Sequence, residues 1–299
     1  MTIQEAALLG LVQGLTEFLP ISSTAHLLAV RHLLGHEHPE DAFTVVIQLG
    51  TLVAVFAYFR AEIGKLLRGL LQDVRSFRPG SNEDSRIAWR IALGTVPAVV
   101  VGFLFKKQLK AHFFNLQSVA VVAIAFALLL ALAEWWSRTG LQTGATGTSR
   151  RRTGRGEESI TWRDALWIGL WQACALMPGG SRSGTTITGG LFAGLSRSAA
   201  ARFSFLLSMP VILGAGLKDL WDEYKKWKQP EPGEAPSLFA SADDVMALIV
   251  GTLVSAIVGY LAIAWLLSFL QRYSTGAFVV YRVLFGTAIL LSLAAGWIR

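Results

Sequence analysis

Charge is what this sequence has least of: Asp, Glu, Lys and Arg make up 16% of its 299 residues, against about a quarter in an ordinary soluble domain. That shortage excludes a solvated globular fold and points to lipid as the solvent. Cys174 is the only cysteine, which excludes an intramolecular disulfide, and its apolar helical setting predicts a buried, inert thiol. There is no nucleotide-binding glycine loop and no redox-cofactor motif. The N-terminus has neither a basic leader region nor a small-residue cleavage pattern, so no removable signal peptide is expected. The net charge is +7, but the basic residues fall between apolar spans rather than in one patch. Membrane topology explains them better than nucleic acid does.

What the chain does have is long apolar runs. Residues 117–136 and 244–270 carry almost no charge, and each reaches the roughly 20 residues a spanning helix needs. The chain is also duplicated. Gly10-Leu11-Val12-Gln13 returns as Gly169-Leu170-Trp171-Gln172, and Pro20-Ile21-Ser22-Ser23 as Pro178-Gly179-Gly180-Ser181. Gly94-Thr95 with Gly102-Phe103 matches Gly251-Thr252 with Gly259-Tyr260 at nearly the same offset. Ordered agreement at three blocks marks whole halves rather than chance. The expected organisation is a single all-α membrane domain over 1–299, with a first repeat at 1–136, a linker at 137–160 and a second repeat at 161–299.

Each half opens with two short helices (about 3–18 and 24–34, then 161–176 and 184–196) around a Pro/Ser/Gly break. Neither piece spans alone, and broken backbone at membrane depth is tolerated only inside protein or along a wet cavity. The pair therefore reads as a re-entrant hairpin. Three spans follow in each half, about 43–59, 87–105 and 117–136, then 202–217, 244–270 and 277–298. An odd number of spans starts the second half on the opposite side, which gives two inverted-topology repeats, as in secondary transporters. Lys and Arg concentrate in 60–90 and 137–163, so that side is cytoplasmic and both termini lie outside. The linker is Gly/Thr/Arg-rich and is expected to be flexible, and 229–243, with Pro230, Pro232 and Pro236, reads as loop. Arg150-Arg151-Arg152 reads as a topogenic run, with a regulatory or lipid head-group patch as the other reading.

The chemistry sits in the two breaks. In the first, Gln13 and Glu17 are four apart and share a helix face. An acid in an apolar segment costs about 2.5–3.5 kcal/mol on insertion scales and marks a functional site. Pro20 ends the first helix. Ser22, Ser23 or Thr24 can cap the next, which exposes backbone N–H groups and a positive dipole end suited to an anion. His26 lies in that helix's first turn, either as a packing residue or as a functional one beside Glu17. In the second break, Gly179 and Gly180 allow a turn and a close ligand approach. Arg182 offers a bidentate fork for phosphate, and Ser181, Ser183 and Thr186 add hydroxyls. An Arg182–Glu17 ion pair joining the hairpin tips is the alternative role. Inverted repeats bring the two tips together, and the combined set has the parts phosphoryl transfer requires.

At these residues the sequence resembles the bacterial undecaprenyl-pyrophosphate phosphatase family, the BacA family of bacitracin resistance. The resemblance covers essentially the whole chain. It rests on a Glu/Gln-x-x-x-Glu run met by Gln13 and Glu17, the Ser-Ser-Thr-x-His segment at Ser22–His26, and a Pro-Gly-x-Ser-Arg-Ser-x-x-Thr run from Pro178 to Thr186. It implies removal of the terminal phosphate of undecaprenyl pyrophosphate with Mg²⁺ or Ca²⁺, in the bacterial inner membrane, to recycle the cell-wall carrier lipid. Many members carry Glu where this chain has Gln13, which argues against a second metal. On this reading Glu17, with Gln13, holds the cation. Arg182, Ser181 and the Gly179–Ser181 backbone clamp phosphate, Ser23 is the first choice of nucleophile, and His26 shuttles the proton. Attack by His26 or by water stays open. A lipid flippase or secondary transporter is the alternative function; oligomeric state is not legible in the sequence, though bundles of this size often pair as homodimers.

Overall fold

Apolar residues at helical spacing, with hydroxyl and acid caps, produce an all-helical chain. The computed structural model describes residues 1–35, 42–139, 154–229 and 237–297. Twelve α-helices lie among the described residues. They are α1 (Ile3–Phe18), α2 (Ser23–Leu33), α3 (Ala42–Val46), α4 (Gln48–Tyr58), α5 (Arg60–Ser76) and α6 (Glu83–Phe113). Then come α7 (Leu116–Arg138), α8 (Trp162–Cys174), α9 (Arg182–Phe192), α10 (Arg197–Lys228), α11 (Ala242–Arg272) and α12 (Gly276–Ala294). Helices α6, α7, α10, α11 and α12 are long and apolar enough to cross a membrane. The pairs α1–α2 and α8–α9 consist of short helices, the longest 16 residues, and meet at the Pro/Ser breaks.

The two halves use the same local devices at the same offset. Thr2 opens α1 with a capping box to Glu5, and Thr161 opens α8 with a capping box to Asp164. Each half's first helix packs on the other half's long one, α1 along α11 and α8 along α6. Glycine makes both approaches possible. A Cβ on Gly10 would collide with the carbonyl oxygen of Gly251, and one on Gly169 with that of Gly94. These four glycines belong to the blocks whose repetition marks the duplication. α7 and α12 pack together, and the main core gathers Phe18, Phe59, Phe205, Leu130, Ile187 and Leu266 around the hairpins.

Several expectations change. The span expected at 43–59 is broken between α3 and α4, then bends by 81° into α5, so much of the expected 60–90 loop is helix. The counterpart of that broken stretch is the unbroken 32-residue α10, longer than the expected 202–217. Beyond α5, the Asp73 carboxylate organises the connection to α6. It accepts hydrogen bonds from the Gly80 and Ser81 amides at 2.6 and 3.0 Å and from Trp89 Nε1 at 2.9 Å. Burial alone would raise its pKa, but these donors together with the Ser81 hydroxyl hold the carboxyl well below the usual range.

The end of the expected flexible linker is ordered. Arg155 donates to Ala193 O and Ser159 O and pairs with Asp164 at 2.9 Å, fixing 154–160 against the α9–α10 turn. Arg150–Arg152 and the three loop prolines lie outside the described residues. Cys174 is exposed rather than buried, because it falls on the outer face of α8 while Gln172 and Ala173 face inward.

Candidate active site

Both hairpin turns are built alike. Leu19, forced into extended backbone by the following proline, ends α1 with ψ 139°. Ser22 then caps α2 with φ 75° and accepts from the Ala25 amide. Its counterpart Ser181 caps α9 with φ 65° and accepts from the Gly184 amide at 3.2 Å. Positive φ on a residue with a side chain costs on the order of 1–3 kcal/mol, and the fold carries that cost at both tips. Capping satisfies one orphan donor per helix and leaves the other first-turn amides free.

Glu17 is the centre of the site. Its side chain is 6% exposed. Oε1 accepts from Arg182 Nη2 at 2.6 Å. Oε2 accepts from Ser23 Oγ at 2.6 Å and Gln13 Nε2 at 3.0 Å. The Glu17–Arg182 pair thus joins two hairpins 165 residues apart in sequence. Breaking such a buried pair by removing one partner costs about 3–5 kcal/mol. Two polar atoms are left over here, Gln13 Oε1 and Arg182 Nη1, both buried and without a partner among the described residues. The first adds a hard oxygen beside the carboxylate, and the second a guanidinium donor ready for an anion.

The remaining second-hairpin groups mostly hold structure. Ser183 Oγ donates to Leu19 O at 2.9 Å, tying one tip to the other. Thr186 donates to Arg182 O at 2.7 Å and meets the Ser204 hydroxyl, so its hydroxyl is spent within the bundle. Gly179 has φ +93°, and a Cβ there would collide with Val119 O of α7. That glycine is explained by packing alone. Gly180 turns back to Met177 O through its own amide. Thr24 is partly exposed at the start of α2.

His26 does not reach Glu17 or Ser23. Its Nδ1 lies 2.8 Å from Ser22 O, and since a carbonyl only accepts, Nδ1 carries a proton. Nε2 lies 2.7 Å from the Tyr281 hydroxyl, and the ring stacks on Phe285 at 4.2 Å between centroids. The next residue along α12 is the larger surprise. Arg282 is fully buried. It donates through Nη2 to Gly179 O at 3.1 Å and Gly180 O at 3.0 Å, and through Nη1 to Pro20 O at 3.5 Å. Sequence reasoning missed both residues. The signal for Arg282 was nevertheless present: an arginine inside the predicted span 277–298 is an intramembrane charge, the same cue that singled out Glu17.

The fold and site define a class: an all-helical, multi-pass membrane protein with a buried acid–arginine centre where two broken helix pairs meet. The model of the family described as bacitracin resistance protein BacA matches residues 6–288, and the chain belongs to that family. Among similar curated proteins, one from Chlorobium limicola named undecaprenyl-diphosphatase is 46% identical over 99% of this chain and 98% of its own length. One of the same name from Chlorobium phaeovibrioides is 47% identical over 99% of both chains. A third, from Chlorobium phaeobacteroides, is 44% identical over the full length of both.

Proposed function

We propose that this chain is an undecaprenyl-diphosphatase, which hydrolyses the phosphoanhydride of a polyprenyl pyrophosphate to the lipid monophosphate and inorganic phosphate. It works in the bacterial inner membrane, with two repeats of inverted topology. One observation carries the reading beyond the family name: Glu17 holds the Ser23 hydroxyl and the Arg182 guanidinium on its two oxygens, between two helix N-termini.

Each group then has a role in the reaction. Arg182 leaves Glu17 for the substrate and neutralises phosphate charge with its spare Nη1 and the first-turn amides of α9. Ser23 Oγ attacks the terminal phosphorus as Glu17 takes its proton. The P–Oγ bond forms, the bridging P–O bond breaks, and the lipid monophosphate leaves. Water then cleaves the phosphoserine, releasing inorganic phosphate and restoring the serine. His26 acts from the side through Nε2, bonded to Tyr281, rather than as a direct partner of Ser23.

The donor set fits one divalent cation of the Mg²⁺ or Ca²⁺ type. Gln13 Oε1 is unpartnered, Glu17 stands beside it, and such ions take one or two protein oxygens plus substrate phosphate and water. Among the described residues there is no group of three or more His, Cys, Asp or Glu that could hold a metal, so Glu17 and Gln13 are the side chains that would hold the ion. When bound, the ion would supply charge neutralisation on the pyrophosphate. Phosphate release from a polyprenyl pyrophosphate by purified protein, with Mg²⁺ and with chelator, tests the reading. Release should need the metal, and Glu17→Gln or Arg182→Ala should lower kcat/KM by about 10²-fold or more. Near-normal release by either variant would overturn it. A labelled phosphoenzyme trapped on a residue other than Ser23 would overturn the nucleophile.

A further inference from the structure

Arg282 is held in a place that is costly for a cation. It is fully buried, and among the described residues its hydrogen-bond partners are backbone carbonyls, with no carboxylate among them. Its Nε has no partner among the described residues. Nη1 lies against the first turn of α9, where a Cβ added to Gly184 would sit 2.8 Å from it. A helix N-terminus already carries a partial positive charge and favours anions, so a guanidinium there is repelled by its own surroundings. Burying an unpaired ion costs several kcal/mol. A neutral amide side chain could bond the same carbonyls without that cost. With one carboxylate, Glu17, against two guanidiniums, Arg182 and Arg282, the centre holds one positive charge in excess.

What Arg282 does to the backbone explains its presence. The chain has no cis peptide among the described residues, so each carbonyl points opposite to the N–H of the same peptide group. Drawing Gly180 O toward Arg282 therefore turns the Ser181 amide the other way. Among the described residues that amide has no hydrogen-bond partner, and neither do the Arg182 and Ser183 amides in the first turn of α9. Three successive N–H groups are thus left as donors at the start of the helix, the arrangement that binds phosphate oxygens.

We propose that Arg282 is a positioning residue for the pyrophosphate. Its grip on the Gly180 carbonyl fixes the orientation of the Ser181 amide, which joins the free Arg182 and Ser183 amides at the start of α9, and its uncompensated charge is matched only when the anionic substrate arrives. This rests on the reading of the site as phosphate-binding. It does not require Arg282 to touch the substrate.

The test is the kinetics of Arg282→Gln and Arg282→Lys on a polyprenyl pyrophosphate in detergent, with inorganic pyrophosphate as competitor. Neither KM nor the inhibition constant depends on how much of the enzyme is folded. For Arg282→Gln both should rise by about tenfold or more, the effect of losing one charge-assisted contribution, and Arg282→Lys should recover part of the rise. If either variant loses only apparent kcat, with KM and the inhibition constant unchanged, Arg282 is structural and the proposal fails. If Lys does no better than Gln, the charge argument fails. Should the Gln variant not fold, the Lys variant decides alone: its bidentate hold is gone, so an inhibition constant within twofold of wild type would overturn the proposal. Arg182→Ala separates the two levels. Normal phosphate release by that variant would sink the phosphate reading itself, whatever Arg282 does.

Discussion

The two hairpins are the same device with different chemistry. Aligned on their caps, Ser22 stands opposite Ser181, Gln13 opposite Gln172, and both cap serines have positive φ. The side chains differ at most other positions between residues 13–26 and 172–185, and two of those differences place the charges. Where the first hairpin has Glu17 the second has Leu176, and where the second has Arg182 the first has Ser23. The proposed active centre is formed by these unlike positions meeting: Glu17 binds Ser23 within its own hairpin and Arg182 across the interface. A duplicated fold supplies two polar tips and two helix N-termini at once, and divergence then makes one acidic and the other basic. Had both tips kept one sign, they would repel at short range in a medium that screens poorly.

His26 and its counterpart Thr185 sharpen this. Thr185 Oγ1 donates to Ser181 O at 3.0 Å, and His26 Nδ1 makes the same backbone bond to Ser22 O at 2.8 Å. Half of the histidine therefore does what a threonine does. Nε2, facing Tyr281, is the half without a counterpart. His26→Thr should preserve the backbone bond and lower kcat by about 10²-fold, the scale of losing a general acid–base contribution. Thr185→Ala should cost about 1 kcal/mol of stability and leave activity within about twofold. Phosphate release per folded molecule, read beside thermal unfolding, checks both. If His26→Thr loses activity only in proportion to its folded fraction, the two positions are equivalent and the comparison breaks.

The next effect is on packing. Gly10→Ala and Gly169→Ala each drive a methyl into a facing carbonyl, so each should destabilise by about 1–3 kcal/mol. The two should agree to within about 1 kcal/mol, because the contacts are repeat-related. A large cost at one and none at the other in denaturant unfolding would show that the halves are held differently. The smallest effect lies at the caps. Ser22→Ala and Ser181→Ala should each cost about 1 kcal/mol. Ser181→Ala should be the larger, since its hydroxyl also meets Ser183 at 3.3 Å. The reverse order in thermal unfolding would mean that the Ser181–Ser183 contact contributes nothing.

The sequence by itself determined the membrane class, the short helices either side of each Pro/Ser break, the duplication, and Glu17 and Arg182 as charges too costly to be incidental. Those features are local or periodic: hydropathy over a window, a proline, a cap, a repeat offset. Tertiary structure decided the rest. It bent the expected span 43–59 into α5, ordered the linker's end against α9–α10, and turned Cys174 outward, all of which depend on neighbours far along the chain. It moved His26 from Ser23 to Tyr281 and spent Thr186 on Ser204. It also gave Arg282 its place, because a carbonyl acceptor has no sequence signature. A side chain's type can be read from one position, but its partner is set by which helices are brought together.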